Sequence, residues 1–533
     1  MPGGLILTGG RLITADPELP EAGAIAIRGG IIVAVGSNAD ALAFRAPGVE
    51  VIDLRGRTAL PAFNDAHCHP MAIGLAAGQV DVSPDEAPDI GTLLGRIRDR
   101  AASTPPGRWI LARGYDDTRL AERRHPSREE LDRAAPHNPV LITRACLHVG
   151  AANTQALQEA GITRDTPDPP GGTIDRDSRG EPTGVVREAA LEMARRAVPK
   201  PTVGELEDAL RRAAKIYHSH GVTSVAEAGV RRTEEMEAYQ RVRESGGPLL
   251  LRTYLMIILD DMLEEFSGTG LRTGFGDDLL RLGPAKIFLD GSIGGHTARM
   301  REHYAGEPEN RGLWMQDPEE MKAKIRRAHA LGWQCTAHAI GDAAIDLLLD
   351  AYEEALAENP RRNTRHRIEH CEFVTDPQAF DRIARLGCVP VPGTTFLHDF
   401  RPLYDASLGG DRLRYANAMR SFIEHGIVAA ASSDAPVCSV DPLLGIQTMM
   451  TRKDFAGEEA FPEESISFEE AVYAYTAAGA YASFEEHLKG SLTPGKIGDV
   501  TVLGADVRQV KPEEIPEVGV DLTVMAGSVV HPA

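Results

Sequence analysis

DPEEMKAKIRRAHALGWQCTAHA, residues 317–339, sets the reading of the whole chain. Asp317 can cap a helix, Pro318 suits its first position, and Glu320 completes a capping box. Met321, Ile325, Ala328 and Leu331 then fall on one helical face, and Gly332 ends the helix. Residues 333–339 follow as an apolar strand. The same order of helix, glycine and strand recurs at 206–225, around Gly221, and at 420–431, around Gly426. Repeated units of this kind predict an α/β fold whose parallel sheet is covered by helices.

Outward from this region the rhythm changes. Short strands are predicted at 5–7, 25–27, 31–35 and 49–53, and again at 500–503 and 522–525, the last turning at Ala526-Gly527-Ser528 into Val529-Val530. The two ends therefore predict one small β-sandwich domain, 1–60 plus 485–533, flanking a barrel region at 61–484. Residues 80–200 interrupt the alternation, and TPDPPGGTIDRDSRGEPTG (166–184) reads as a hairpin or long loop. This stretch is expected to be an insertion after the first barrel strand that covers the catalytic face.

With 533 residues the chain exceeds a single small binding module. Hydrophobic residues at 42% and charged residues at 25% exclude a disordered chain. Lys plus Arg number 57 against 78 Asp plus Glu, a net charge of −21 that repels phosphate backbones and anionic lipid. The expected partner is a small-molecule substrate, with no nucleic acid and no membrane. Cys68, Cys146, Cys335, Cys371, Cys388 and Cys438 are scattered singly, and no uninterrupted apolar run reaches about 18 residues. Both point to a reducing, cytoplasmic location.

The strongest chemical signal is His67-Cys68-His69. On a strand, side chains two apart share a face, so both imidazoles can meet one metal ion while Cys68 turns away. Lys286 in AKIFLDGS, His338 in QCTAHAIGD, His370 in HRIEHCEF and Asp434 in AAASSDAP each follow a predicted strand. A parallel α/β barrel gathers all its strand carboxyl ends on one face. Each residue singly has an ordinary explanation: a histidine bonded to a backbone carbonyl, a lysine paired with Asp290, an aspartate capping before Pro436. Their coincidence at strand ends is what points to a site.

The ordered set PAFNDAHCHP, KIFLDGSIGGHTA, AHAIGD, RIEHC, SSDAP and SLTPGKIGDVTVL resembles the amidohydrolase superfamily, and more narrowly its YtcJ-like branch, amidohydrolase family 3, which includes N-substituted formamide deformylases. The resemblance implies a distorted (β/α)8 TIM barrel with a binuclear metal centre, usually zinc. His67 and His69 would bind the more buried ion and His338 and His370 the more exposed one. Lys286 would bridge them as a carbamate formed with carbon dioxide, because an ammonium has no lone pair. Asp434 would be both ligand and proton shuttle. The implied reaction is hydrolysis of a small molecule's C–N bond, in an amide, formamide or cyclic amide, by a metal-activated hydroxide. A homodimer is implied as well.

Further candidates are His148 and Asn153 in LHVGAANTQAL, and Asp290, Ser292 and His296 beside Lys286; His148, Asp290 and His296 are the expected substrate contacts. The chain departs from the branch pattern at Asn64, Gly295-His296 and Ser432, none of them a ligand. Arg123-Arg124 and Arg361-Arg362 read as solvated surface. Two alternatives stay open: a non-catalytic regulatory protein that keeps the fold, and a mononuclear deacylase in which unmodified Lys286 pairs with Asp290.

Overall fold

Seven parallel strands succeed one another in chain order, as the repeated units require. In the computed structural model, which describes residues 4–246 and 250–532, these are β1 (Phe63–Cys68), β2 (Val222–Val230), β3 (Arg252–Ile258), β4 (Leu280–Phe288), β5 (Cys335–Ala339), β6 (Arg367–His370) and β7 (Val389–Val391). Pairing in parallel register aligns their carboxyl ends: Glu227 stands opposite Cys68, His338 opposite Phe288 and His370 opposite Ala339.

The eighth place is where the expected (β/α)8 barrel departs from regularity. Residues 427–434 fill it as an extended but irregular segment. On one side Ala430 N bonds Pro390 O at 3.0 Å and Ser432 N bonds Pro392 O at 3.2 Å; on the other, Ala66 N bonds Ala431 O at 3.2 Å. Pro390 and Pro392 have no N–H to return, so the bond back on that side comes from Thr394 N to Ser432 O at 3.0 Å, and the pairing is too sparse for a regular strand.

The helix after Asp317 is α1 (Pro318–Ala330). Asp317 accepts from the N–H groups of Glu319 and Glu320, Met321, Ile325 and Ala328 are buried, and Gly332 takes φ +91 just past the end. The expected capping box is half formed, since no described bond returns from Asp317 N to Glu320. Arg361 corrects its surface reading: it is half-buried, and its guanidinium donates to the carbonyls of His329, Gly332 and Trp333. His329 lies in the last turn of α1, and Gly332 and Trp333 lie just past its end.

Two buried histidines beside α1 carry a pH prediction. His329 Nε2 donates to Asn359 O at 2.7 Å, so its Nδ1 accepts from His366 Nε2 at 2.9 Å, and His366 Nδ1 accepts from Cys335 N at 2.9 Å. All four ring nitrogens are used by neutral rings, and an added proton would face another donor. Burial lowers both pKa values, that of His366 furthest, with His329 and Arg361 adding to the effect there. A depressed folded-state pKa gives stability that is present above the unfolded value of about 6.5 and lost as pH falls below it. Thermal midpoints measured from pH 7.5 to 5 are expected to fall more steeply for the wild type than for His329→Gln; parallel slopes would contradict this.

The chain ends form two further sheets. One runs Ile31–Gly36, Ala24–Arg28, Leu5–Thr8, Glu50–Asp53; the other runs Ser528–Pro532, Val520–Met525, Val500–Leu503, Thr58–Pro61, Arg11–Ile13, Glu21–Ala22. Leu5, Leu7, Ile25 and Ile27 of the first share one apolar cluster with Leu12, Val500, Val502 and Val524 of the second. Both termini belong with the barrel to one compact unit, made of the chain up to Ile73 and from Leu210 onward, while Gly74–Ala209 is a second unit. That second unit has its own mixed six-stranded sheet, in which Gly172–Arg176 and Pro182–Glu188 form the hairpin read from 166–184. No helix among the described residues is long and apolar enough to cross a membrane.

Candidate metal centre

β1 carries His67, and His69 lies just beyond its end, held where its N–H bonds Ala435 O at 2.8 Å. His67 Nε2 and His69 Nε2 approach the same oxygen, Asp434 Oδ1, at 3.4 and 3.3 Å. Donor atoms of these three residues all lie within 4.8 Å of one another. Cys68 turns its sulfur away, 3.7 Å from Ala226 O. Asp434 is presented from a left-handed backbone, φ +53, with its N–H on His67 O at 2.9 Å, and His370 has φ +69. Such conformations cost about 1–3 kcal/mol in a non-glycine residue and persist where the surroundings over-determine them.

The other candidates arrive from β4, β5 and β6. Lys286 Nζ lies 3.3 Å from His67 Nε2. The His370 ring is centred 4.8 Å from that of His67 and 4.5 Å from that of His338. His338 donates from Nε2 to Gly291 O at 2.9 Å, which leaves the Nδ1 lone pair available.

Burial keeps most of this imidazole cluster neutral. It lowers His338 and His67 to about 4, with the charge of Lys286 contributing at both, and it takes His370 well below the usual value. Burial opposes charge on His69 too, but Asp434 and Glu227 outweigh it and raise His69 to about 9. Lys286 is pushed down to about 8, chiefly by burial. Asp434 stays below the carboxylate range against its burial, through His69, His67 and Lys286. Neutral imidazoles beside an anionic carboxylate are the ligating forms of both groups. A set of nitrogen and oxygen donors of this kind suits zinc, and equally manganese, iron or cobalt.

A sequence model of the amidohydrolase family matches residues 50–531. The chain belongs to the amidohydrolase family. It is 31% identical to the putative amidohydrolase YtcJ of Bacillus subtilis over 98% of both chains, and 30% identical to the N-substituted formamide deformylase of Arthrobacter pascens over 98% of this chain and 97% of that one. Among solved structures, an uncharacterized metal-dependent hydrolase from Pyrococcus horikoshii superposes with a TM-score of 0.77 at 26% identity, covering 96% of this chain and 99% of the other. Family and fold together support a hydrolase.

In this amidohydrolase the six candidate ligands converge, but sequence reasoning missed two buried glutamates behind them. Glu369, fully buried on β6, bonds His67 Nδ1, and it also accepts from Arg367 Nε at 2.7 Å, Arg367 Nη2 at 2.9 Å and Thr336 Oγ1. The Arg367 charge, with the bonds from Arg367 and His67, holds its carboxyl far below the usual range against the burial penalty. Glu227 on β2 accepts from Met71 N at 3.2 Å and from the Tyr239 hydroxyl, and its other oxygen lies 3.5 Å from His69 Nδ1. The signal for Glu369 was present: it stands two residues after Arg367 on a strand, so the two share a face.

The secondary candidates find other roles. Asp290 does not pair with Lys286; it accepts backbone N–H bonds from Arg299, Ile340 and Gly341 at 2.8, 3.2 and 2.8 Å and so joins the loops after β4 and β5. Burial raises it to about 7 against those bonds, and it lies 3.6 Å from His338 Nε2. This removes the salt bridge on which the mononuclear alternative rested. His296 uses both ring nitrogens, on Glu307 at 2.7 Å and Ser407 at 3.0 Å, and stacks on Tyr304, so its imidazole braces a loop. Ser292 Oγ accepts Gly295 N within the same loop. His148, in the second unit, is exposed and bonds Glu188 at 2.9 Å. Asn153, in that unit, is a structural cap, accepting from Ala156 N and Val140 N.

Proposed function

We propose that this protein is a metal-dependent hydrolase of a carbon–nitrogen bond in a small molecule, an amide, formamide or cyclic amide. The observation that carries the reading is the convergence of His67, His69, Lys286, His338, His370 and Asp434 at the carboxyl ends of β1, β4, β5, β6 and the irregular eighth segment. These residues would hold two divalent ions, zinc being the first choice. Lys286 takes part as its carbamate, which replaces an ammonium without a lone pair by an anionic oxygen donor. When bound, the ions supply Lewis acidity, lowering the pKa of water and polarising a carbonyl.

The chain's own groups do the rest. Asp434 accepts the proton of the attacking water at Oδ1 and returns it to the departing nitrogen, acting as general base and then general acid. His338, fixed by Gly291 O, keeps Nδ1 as its free lone pair. Nothing in this donor set has been lost, which favours an enzyme over a regulatory protein that keeps only the fold. The test is a panel of N-substituted formamides, simple amides and cyclic amides, assayed before and after chelation. Turnover abolished by chelator and restored by zinc is expected; turnover indifferent to chelation would refute the reading.

A further inference from the structure

We infer that Glu369 and Glu227 are positioning residues, each fixing the tautomer and ring orientation of one histidine of the β1 pair. The inference rests on the metal-binding reading above and deepens it. Four donors converge on Glu369: Arg367 Nε, Arg367 Nη2, Thr336 Oγ1 and His67 Nδ1. A carboxylate clamped by a guanidinium is an acceptor only, so Nδ1 of His67 must carry the hydrogen. The His67 lone pair is then confined to Nε2, the atom facing Asp434 and Lys286. Glu227 does the same for His69 from the neighbouring strand β2, its second oxygen occupied by two donors, Met71 N and the Tyr239 hydroxyl. Both carboxylates are buried, so water does not compete for these contacts.

The two supports differ in charge balance. Glu369 is neutralised by Arg367. Glu227 is held by an amide N–H and a phenol, so its negative charge is left to face His69. An amide cannot replace either carboxylate. In Glu369→Gln the new NH2 group must meet either Arg367 and Thr336 or His67 Nδ1–H, donor against donor, and relief at His67 moves its hydrogen to Nε2.

Removing such a partner typically costs about 10- to 100-fold in metal affinity. The test is cobalt(II) titrated into the metal-free full-length protein and its Glu369→Gln and Glu227→Gln variants, read by chelator competition and by the visible absorption of the bound ion. Each variant is expected to bind about 10- to 100-fold more weakly and to show displaced absorption bands, a readout that a merely structural role would not move. If Glu369→Gln fails to fold, Glu227→Gln decides alone. A folded variant with wild-type affinity and spectrum overturns the inference, whereas a wild type that binds no cobalt overturns the metal-binding reading itself.

Discussion

Asp434→Asn is expected to lower turnover by about 10²- to 10⁴-fold, the range set by losing a positioned general acid and base, while the protein stays folded. Asparagine keeps the size and one oxygen of the side chain but cannot take a proton at neutral pH. In the structure Asp434 Oδ1 is the atom on which His67 Nε2 and His69 Nε2 both converge. Its carboxyl remains ionised against its own burial because His69 bonds it and the charge of Lys286 lies nearby. The backbone that presents it is tied by the bond from Asp434 N to His67 O, which the substitution leaves in place. Rates on the best substrate of the formamide and amide panel, with circular dichroism as the control for folding, check this. A variant that turns over at the wild-type rate would remove Asp434 from the mechanism.

Arg367→Met is expected to destabilise the fold by about 3–5 kcal/mol, the usual cost of breaking a buried ion pair from one side. Arg367 and Glu369 are 1% and 0% exposed, so no solvent replaces the lost partner. The guanidinium also donates to Ala66 O at 2.6 Å, bonding β6 to the residue just before His67. Methionine fills much of the volume yet leaves Glu369 as an unpaired buried charge. Urea denaturation read by fluorescence measures the loss. Wild-type stability would mean that the pair contributes nothing net to the folded state.

Much of the fold was legible because its signals are local. Asp317, Pro318 and Gly332 mark the ends of one helix, and the apolar run after Gly332 has only a strand to form. His67 and His69 show their common face by spacing alone. The irregular eighth segment was harder to read, since its form depends on Pro390 in β7 and Pro392 just beyond it, and 427–431 reads by itself as an ordinary strand. Asp290 and His296 were misjudged for a related reason. A carboxylate or imidazole beside a ligand has the same letter whether it faces substrate or fastens a loop, and only the backbone N–H groups of Arg299, Ile340 and Gly341, or Glu307 and Ser407, distinguish the two. Glu369 and Glu227 stayed hidden because a glutamate within a strand is usually a solvated residue, and what buries these two lies on other strands and helices.

The central claim is a two-ion centre built from these six side chains. Metal content per chain, determined by plasma mass spectrometry on protein prepared without chelator or affinity nickel and with bicarbonate present, tests it most directly. The account predicts about two equivalents of a divalent transition metal, as a centre that shares one carbamate requires. One equivalent would contradict the bridging role of Lys286, and none after reconstitution would contradict the metal centre altogether.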